Sequence, residues 1–350
     1  MTSEFFMGVE LAYGNLTDCI ALVDKVKNFT NLFVVGSLEI SMNHSMLNAT
    51  CDYISEAGLS FIVFFTDPTI YPYNTYVWID RAKQKYGEKF LGVYRYDEPG
   101  GRQLDGNEQR FVVDATNYTD AAETYVEYLY AHIEYYVYSA PMVLTADYGL
   151  YWFDYKGGYN VTLAEFGWNL SRPLQVALCR GAAKAHKKDW GFIITWTYNN
   201  PPYIESADEL YSDLVLGYNA GAKYAVVFNY PNETQYGILT EEHFEALNMF
   251  WSYIHRNPMN HGSVEGDVAY VLPKDFGFGF RGSDDTIWGL WNDEQLSKKI
   301  WDDVNNLIDV YDSRLDIIYD DLEFDNMLKS RYDELFFWNE QLFSTQENRN

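Results

Sequence analysis

Short apolar runs recur along the chain, separated by longer segments whose apolar positions repeat at helical spacing. Runs of this kind, bounded by Gly, Asn and Asp, read as strands buried on both faces, the habit of parallel sheets. Strands are expected at Phe5 to Leu11, Leu32 to Gly36, Phe61 to Phe65, Phe90 to Tyr96, Pro141 to Thr145, Phe192 to Thr197 and Tyr224 to Asn229. Between them lie amphipathic helices, such as Ala121 to Tyr136 with its ladder of tyrosines and Leu174 to His186 with alanines along one side. Strand alternating with helix is the signature of repeated βα units. Seven strands leave a barrel one short. Val268 to Pro273, after a helix at about Glu241 to His255, supplies the eighth and predicts an α/β chain folded as a (β/α)8 TIM-like barrel.

From residue 265 the alternation continues further than eight units require. A helix is expected at Ser297 to Tyr311, a strand at Arg314 to Tyr319, a short helix at Asp325 to Ser330 and a strand at Glu334 to Trp338, before a polar tail at 341–350. Two closures compete. Either Val268 to Leu272 is the last barrel strand, or it opens a small three-stranded unit beside a barrel that closes differently. The first is expected, giving a barrel domain at 1–264, then the last barrel strand with a small C-terminal α/β extension at 265–340. Gly277-Phe278-Gly279-Phe280-Arg281-Gly282 matches the G-x-G-x-x-G spacing of dinucleotide loops, but Asp284-Asp285 and a Trp-rich segment follow where that fingerprint needs a helix. A glycine-rich aromatic loop with Trp288 and Trp291 suits stacking on a sugar better.

The chemistry concentrates at Tyr94-Arg95-Tyr96-Asp97-Glu98-Pro99-Gly100-Gly101, where an apolar strand delivers two adjacent carboxylates into a turn. Strand alternation puts Tyr94, Tyr96 and Glu98 on one face, with Arg95 and Asp97 on the other. A carboxyl among aromatic rings beside a second carboxylate has a raised pKa, which suits Glu98 to general-acid work. In a parallel barrel all strand ends share one mouth. They bring Glu10, Asp97 and Glu98, Asp147, Trp196 with Tyr198, and Asn229 with Tyr230. Each residue alone has a plain explanation, since Asp and Asn cap helices and aromatic rings fill cores. Together they make a carbohydrate cleft: carboxylates for proton transfer, amides for hydroxyls, aromatic faces for pyranose rings. The aromatic segment from Tyr148 to Asn169 reads as a loop over the mouth, with Asp154 and Glu165 as candidates for the second carboxylate and Trp152 and Trp168 as a subsite wall.

Charge narrows the partners. Against 51 acidic residues stand 25 Lys and Arg, a net charge of −26, which repels nucleic acid and anionic membrane surfaces. No apolar run reaches the roughly 18 residues that cross a bilayer. Eight Asn-X-Ser/Thr sequons, at Asn15, Asn28, Asn43, Asn48, Asn117, Asn160, Asn169 and Asn232, point to an exported glycoprotein, although Asn before Ser or Thr is also what helix starts use. Cys19 and Cys51 sit on helices that neighbour in a barrel and are expected to pair, leaving Cys179 free. The six histidines show neither HxH nor HExxH spacing, and nothing calls for a metal or a cofactor. Oligomeric state is not legible.

On Tyr96-Asp97-Glu98-Pro99 at the end of its fourth strand, the chain resembles the broad superfamily of TIM-barrel glycoside hydrolases. The resemblance implies an extracellular or cell-surface enzyme cleaving glycosidic bonds of an oligo- or polysaccharide. In substrate-assisted families an adjacent Asp-Glu pair stands at that place, which would make Glu98 the acid and Asp97 the orienter of an acetamido group. The large retaining clan instead places Asn before its strand-four acid and a Glu nucleophile after strand seven, where this chain has Asp97 and Asn229-Tyr230-Pro231. Two other readings stay open: a non-catalytic carbohydrate-binding protein on the same barrel, and a nucleotide-dependent enzyme using the glycine-rich loop.

Overall fold

The computed structural model describes residues 5–106, 109–230, 233–321 and 330–342. Eight parallel strands, β1 Phe6–Leu11, β2 Leu32–Val35, β3 Ser60–Phe65, β4 Phe90–Arg95, β5 Val143–Asp147, β6 Val161–Phe166, β7 Asp189–Ile194 and β8 Tyr224–Val227, form a closed barrel in chain order. The last strand pairs with the first through Phe6 with Tyr224 to Val9 with Val227. Alternate residues divide the strands between two apolar layers. Phe6, Leu32, Ile62, Tyr94, Leu144, Leu163 and Val226 fill the barrel, while Val9, Phe33, Val63, Val93, Phe166 and Val227 pack beneath the helices.

The helices are α1 Leu16–Val26, α2 Leu38–Ser41, α3 His44–Glu56, α4 Thr75–Tyr86, α5 Pro99–Leu104, α6 Tyr118–Ser139, α7 Tyr151–Lys156, α8 Arg172–His186, α9 Ala207–Asn219, α10 Glu241–Arg256 and α11 Glu294–Tyr311. Their starts show where three of the eight sequon asparagines are used. Asn15, Asn43 and Asn117 are the N-caps of α1, α3 and α6, each accepting backbone N–H groups through its side chain.

The barrel closes differently from the expectation. Val268–Leu272 is not its eighth strand; as β9 it is the centre of a separate parallel sheet between β10 Leu315–Tyr319 and β11 Glu334–Phe337. The missing barrel strand is β6, inside the segment read as a loop. It follows the short α7 so closely that strand, helix and strand fused into one aromatic stretch, although Val161, Leu163 and Glu165 alternate with Thr162, Ala164 and Phe166. Of the expected helix at 325–330, residues 325–329 lie outside the described residues and Ser330 is in a turn; the tail from 343 also lies outside them.

The C-terminal unit docks on α8. Arg180 there is buried and donates from Nε to Asp316 of β10 at 2.7 Å, and from its other nitrogens to Val264 O at 3.0 Å, Ser313 O at 2.6 Å and Leu315 O at 3.1 Å. Gly181 lets the helix approach, since a Cβ there would overlap the Ile317 carbonyl. The expected Cys19 to Cys51 bridge is absent. Both are free, buried thiols within the apolar layer between helices and barrel, as is Cys179.

Candidate active site

The inward positions of the strands rise to a polar top layer. Along β1 the interior side chain Phe6 is followed two and four residues on by Gly8 and Glu10; along β6, Val161 and Leu163 lead to Glu165. Glu10 and Glu165 therefore stand at the mouth for the same reason that their neighbours are core. They line a cleft of about 300 Å³ with Tyr94, Asp97, Glu98 and Trp196. Glu10 fits there because position 36, just past β2, is glycine: a Cβ would overlap its carboxylate.

Asp97 and Glu98 both open into this cleft although they are adjacent in sequence. Alternation fails here because the strand ends at Arg95, and Tyr96 and Glu98 take left-handed backbone conformations with φ of 64° and 49°. Non-glycine residues hold such angles at a cost of about 1–3 kcal/mol each, carried by the surroundings. The Tyr94 hydroxyl donates to Asp97, and the Glu98 N–H donates to Ala146 O at 3.0 Å. Tyr96, expected beside Glu98, turns away; its hydroxyl accepts from Arg102 Nη1 at 2.9 Å and its ring meets Phe111 and His132 edge-on.

Asp147 is not in the cleft. Leu144 and Ala146 take the inward positions of β5, so Asp147 faces outward, fully buried, and accepts from Gly100 N at 2.7 Å, Gly101 N at 2.9 Å and Tyr148 N at 2.8 Å. It ties down the turn that follows Glu98. Gly100 is needed there, because a Cβ would overlap the Asp147 carboxylate. Asp154, on buried α7, accepts from the Tyr125 hydroxyl at 3.0 Å and adjoins Asp147, away from any substrate.

Burial dominates the proton equilibria. It pushes the Glu10 carboxyl up to about 8, with the Asp97 charge adding to it. Glu98 rises to about 7 from burial and then the Asp97 charge, opposed by a hydrogen bond from Glu165. Glu165 is held well above the usual carboxyl range by burial and by the charges of Glu98 and Asp97. Asp97 is open to the cleft void yet ringed by protein. Desolvation raises it too, but the hydrogen bond from Tyr94 favours its ionised form. Near neutral pH the cleft thus holds Glu10 and Glu165 protonated and Glu98 at its titration point, while Asp97 is raised by burial and drawn back by Tyr94.

The remaining candidates divide. Trp196 faces the cleft and packs against Tyr230, ring centroids 5.7 Å apart, which places Tyr230 at the rim. Trp168 and Tyr198 are exposed and line a neighbouring hollow instead. Asn229 is a buried structural amide, donating to Tyr236 O at 2.6 Å and accepting from Ile238 N at 3.0 Å. Trp152 is buried against His186 and Tyr319, so it walls no subsite. Trp288 is buried as well, its indole N–H donating to Asp275 O at 2.9 Å, and Trp291 packs edge-on against Tyr118. The glycine-rich segment is packed, with Phe278 and Phe280 in the core and bridges from Ile287 to Phe278 and Trp291. Sequence reasoning missed Tyr94 as the partner of Asp97, and the room that Gly36 leaves for Glu10. The period-two continuation of the inward residues would have found Glu165 on a strand.

No protein-family model matches the chain, and no curated protein matches it. Solved structures do. A GH5_18 protein from Bifidobacterium longum subsp. infantis superposes with a TM-score of 0.61 at 8% identity, over 97% of this chain and 98% of the other. Alpha-L-fucosidase isoenzyme 2 from Paenibacillus thiaminolyticus gives 0.54 at 11% identity, over 95% of this chain and 59% of that one. The catalytic module of a family 98 glycoside hydrolase from Streptococcus pneumoniae TIGR4, in complex with the H-disaccharide blood group antigen, gives 0.53 at 11% identity, over 97% and 68%. At such identities the likeness is one of fold: this chain has the closed parallel (β/α)8 barrel on which those glycoside hydrolases are built.

Proposed function

We propose that this protein is an extracellular glycoside hydrolase acting on an oligo- or polysaccharide, with Glu98 as general acid and Asp97 as the ionised carboxylate beside it. One observation carries the reading: two adjacent residues at the β4 exit open into the same cleft with different surroundings, Glu98 raised to about 7 by burial and the Asp97 charge, Asp97 raised by burial but drawn back by the hydrogen bond from Tyr94. Paired carboxyls whose environments separate them are how glycosidases divide acid and charge-stabilising roles. Glu98 protonates the departing glycosidic oxygen as its bond to the anomeric carbon breaks, the Glu165 proton stabilises the carboxylate left behind, Asp97 faces the positive charge that grows on the sugar, and water adds at the anomeric carbon and returns a proton to Glu98. Protonated Glu10 is a donor for sugar hydroxyls, and Trp196 offers a ring face. Among the described residues no Lys or Arg lines the cleft, so neutral or amine-bearing sugars suit it and anionic ones do not. The barrel shared with known glycoside hydrolases supports the reading, and eight sequons, with Asn28 and Asn169 exposed, support export.

Glu98→Gln keeps the shape and removes the proton. Turnover of substrates with poor leaving groups should fall by about 10²- to 10⁴-fold, the usual worth of general-acid catalysis, while binding survives and activated aryl glycosides lose less. Asp97→Asn should hurt only N-acetylated sugars if Asp97 orients an acetamido group, and all substrates if it acts on the ring directly. Near-wild-type turnover of a natural glycan by Glu98→Gln would remove Glu98 from the role. Glycan binding without product release by the unaltered protein would point to a non-catalytic lectin-like barrel. Export is tested by secretion from a eukaryotic host and the mass lost on enzymatic removal of N-glycans.

A further inference from the structure

Beside the cleft lies a second hollow of about 650 Å³. Its walls are the loop after β6, with Trp168, the segment after β7, with Thr197 and Tyr198, and the first half of α9, with Asp208 and Ser212. The two hollows lie against one stretch of chain, since Thr195 and Trp196 line the cleft while Thr197 and Tyr198 line the larger space. Trp168 and Tyr198 are 41% and 47% exposed, large aromatic rings turned to solvent.

Their display is built into the fold. Trp168 holds a left-handed backbone with φ of 46°, and its N–H donates to Trp196 O. Arg172 fastens the same loop, donating from Nη1 to Gly167 O at 3.0 Å and Leu170 O at 2.8 Å, while Nε and Nη2 hold Asp213 and Glu205, each at 2.8 Å. Glu205 lines the hollow although only 2% exposed, and its Oε1 accepts from no N–H or hydroxyl of the described residues, adjoining the Asp213 carboxyl instead. Burial raises the Glu205 pKa to about 8, with the Asp213 charge adding to the rise and the Arg172 charge opposing it. A strained aromatic, two buried carboxyls set against each other and a rigid anchoring arginine are costly features for a surface with no ligand.

We propose that this hollow is an accessory sugar subsite, which holds the distal units of an oligosaccharide whose terminal unit occupies the cleft, and which accepts neutral or amine-bearing sugars but not uronic acids. The proposal rests on the glycosidase reading for the identity of the cleft and deepens it by naming the substrate class. At about 300 Å³ the cleft sits at the bottom of the range for ligand sites, room for little beyond a single ring, so a longer glycan must continue elsewhere. The larger hollow is the adjacent continuation, with two aromatic faces for stacking and polar edges for hydroxyls. Its one lining cation among the described residues, Arg172, is already engaged by two carboxylates, and Asp208 and Glu209 add to the negative field that repels an anionic sugar.

The test is calorimetric binding to the Glu98→Gln protein, which should not consume its ligand. Cellotetraose, mannotetraose and chitotetraose are the neutral probes, tetragalacturonic acid the anionic one. At least one neutral tetrasaccharide should bind at least ten-fold more tightly than its monosaccharide, and tetragalacturonic acid should not bind. Trp168→Ala with Tyr198→Ala should erase that advantage, as should Ser212→Trp, which fills the hollow from the α9 side while leaving both rings in the sequence; thermal unfolding confirms that both variants fold. Equal binding of tetramers and monomers, tight binding of the uronate, or both variants binding like the parent would overturn the subsite. Failure of the catalytic reading looks different: tetramers bind and the variants lose them, yet the unaltered protein hydrolyses no glycoside.

Discussion

The carboxyl groups of Glu98, at the exit of β4, and Glu165, on β6, share the cleft and set each other's proton affinity, Glu165 lowering that of Glu98 and Glu98 raising that of Glu165. Glu165 keeps its proton more tightly and donates, so Glu98 is the member that titrates near 7. A general acid works only while protonated, so turnover should decline as pH rises through about 7. Glu165→Leu preserves the burial but removes the donor, which should move that alkaline limb to higher pH. Glu165→Gln can still donate from its amide and should leave the limb close to 7. A limb unmoved in the leucine variant would show that the pair does not share a proton.

Glu10 bears on stability. Its carboxyl titrates at about 8 in the folded state, against 4.5 for an unperturbed glutamate. Between those values the unfolded chain has released the proton while the native state still holds it, so the native state loses ground as pH rises from 4.5 to 8. Glu10→Gln has no such proton to lose. It should raise Tm, and by more at pH 8 than at pH 5, with a gain of roughly 2 °C or more at the higher pH. Substrate affinity should fall as the protein becomes more stable, the exchange expected at a site built from crowded acids. Equal Tm changes at both pH values would rule out the buried protonated carboxyl.

A third prediction concerns the joint with the C-terminal unit. Asp316 is fully buried and takes Arg180 at 2.7 Å and Lys184 at 2.8 Å. Asp316→Ala strands the buried guanidinium and should cost about 3–5 kcal/mol, read from denaturant unfolding. Loss of Lys184, whose side chain is partly exposed, should cost far less. Equal costs would mean that the pair contributes no more than a surface contact.

The barrel class was legible because seven apolar strand runs alternate with helical periods, and the site because Glu10, Asp97, Glu98 and Trp196 end strands of one parallel set. What misled was local. Val161 to Phe166 mixes Thr and Glu into a strand separated by four residues from a six-residue helix, so the Gly157-Gly158 turn before it read as part of one aromatic loop. Val268 to Leu272 has the same apolar character as a barrel strand, because the centre of a three-stranded parallel sheet is buried just as thoroughly. Asp147 and Asn229 were placed in the cleft by being near strand ends, whereas register turned both outward. Asp97 and Glu98 both reached it because the chain left the strand in two left-handed steps, which residue types alone do not encode.

The arginine clamp on α8 also orders events during synthesis. Arg180 leaves the ribosome 136 residues before its carboxylate partner. The barrel strands are all made by Val227, yet the helix between β6 and β7 carries a guanidinium whose acceptors, the Ser313 and Leu315 carbonyls among them, do not yet exist at that point. The nascent barrel is therefore complete in sequence but not in electrostatics. The buried Arg180 guanidinium is fully paired only once residues 264–316 have been made.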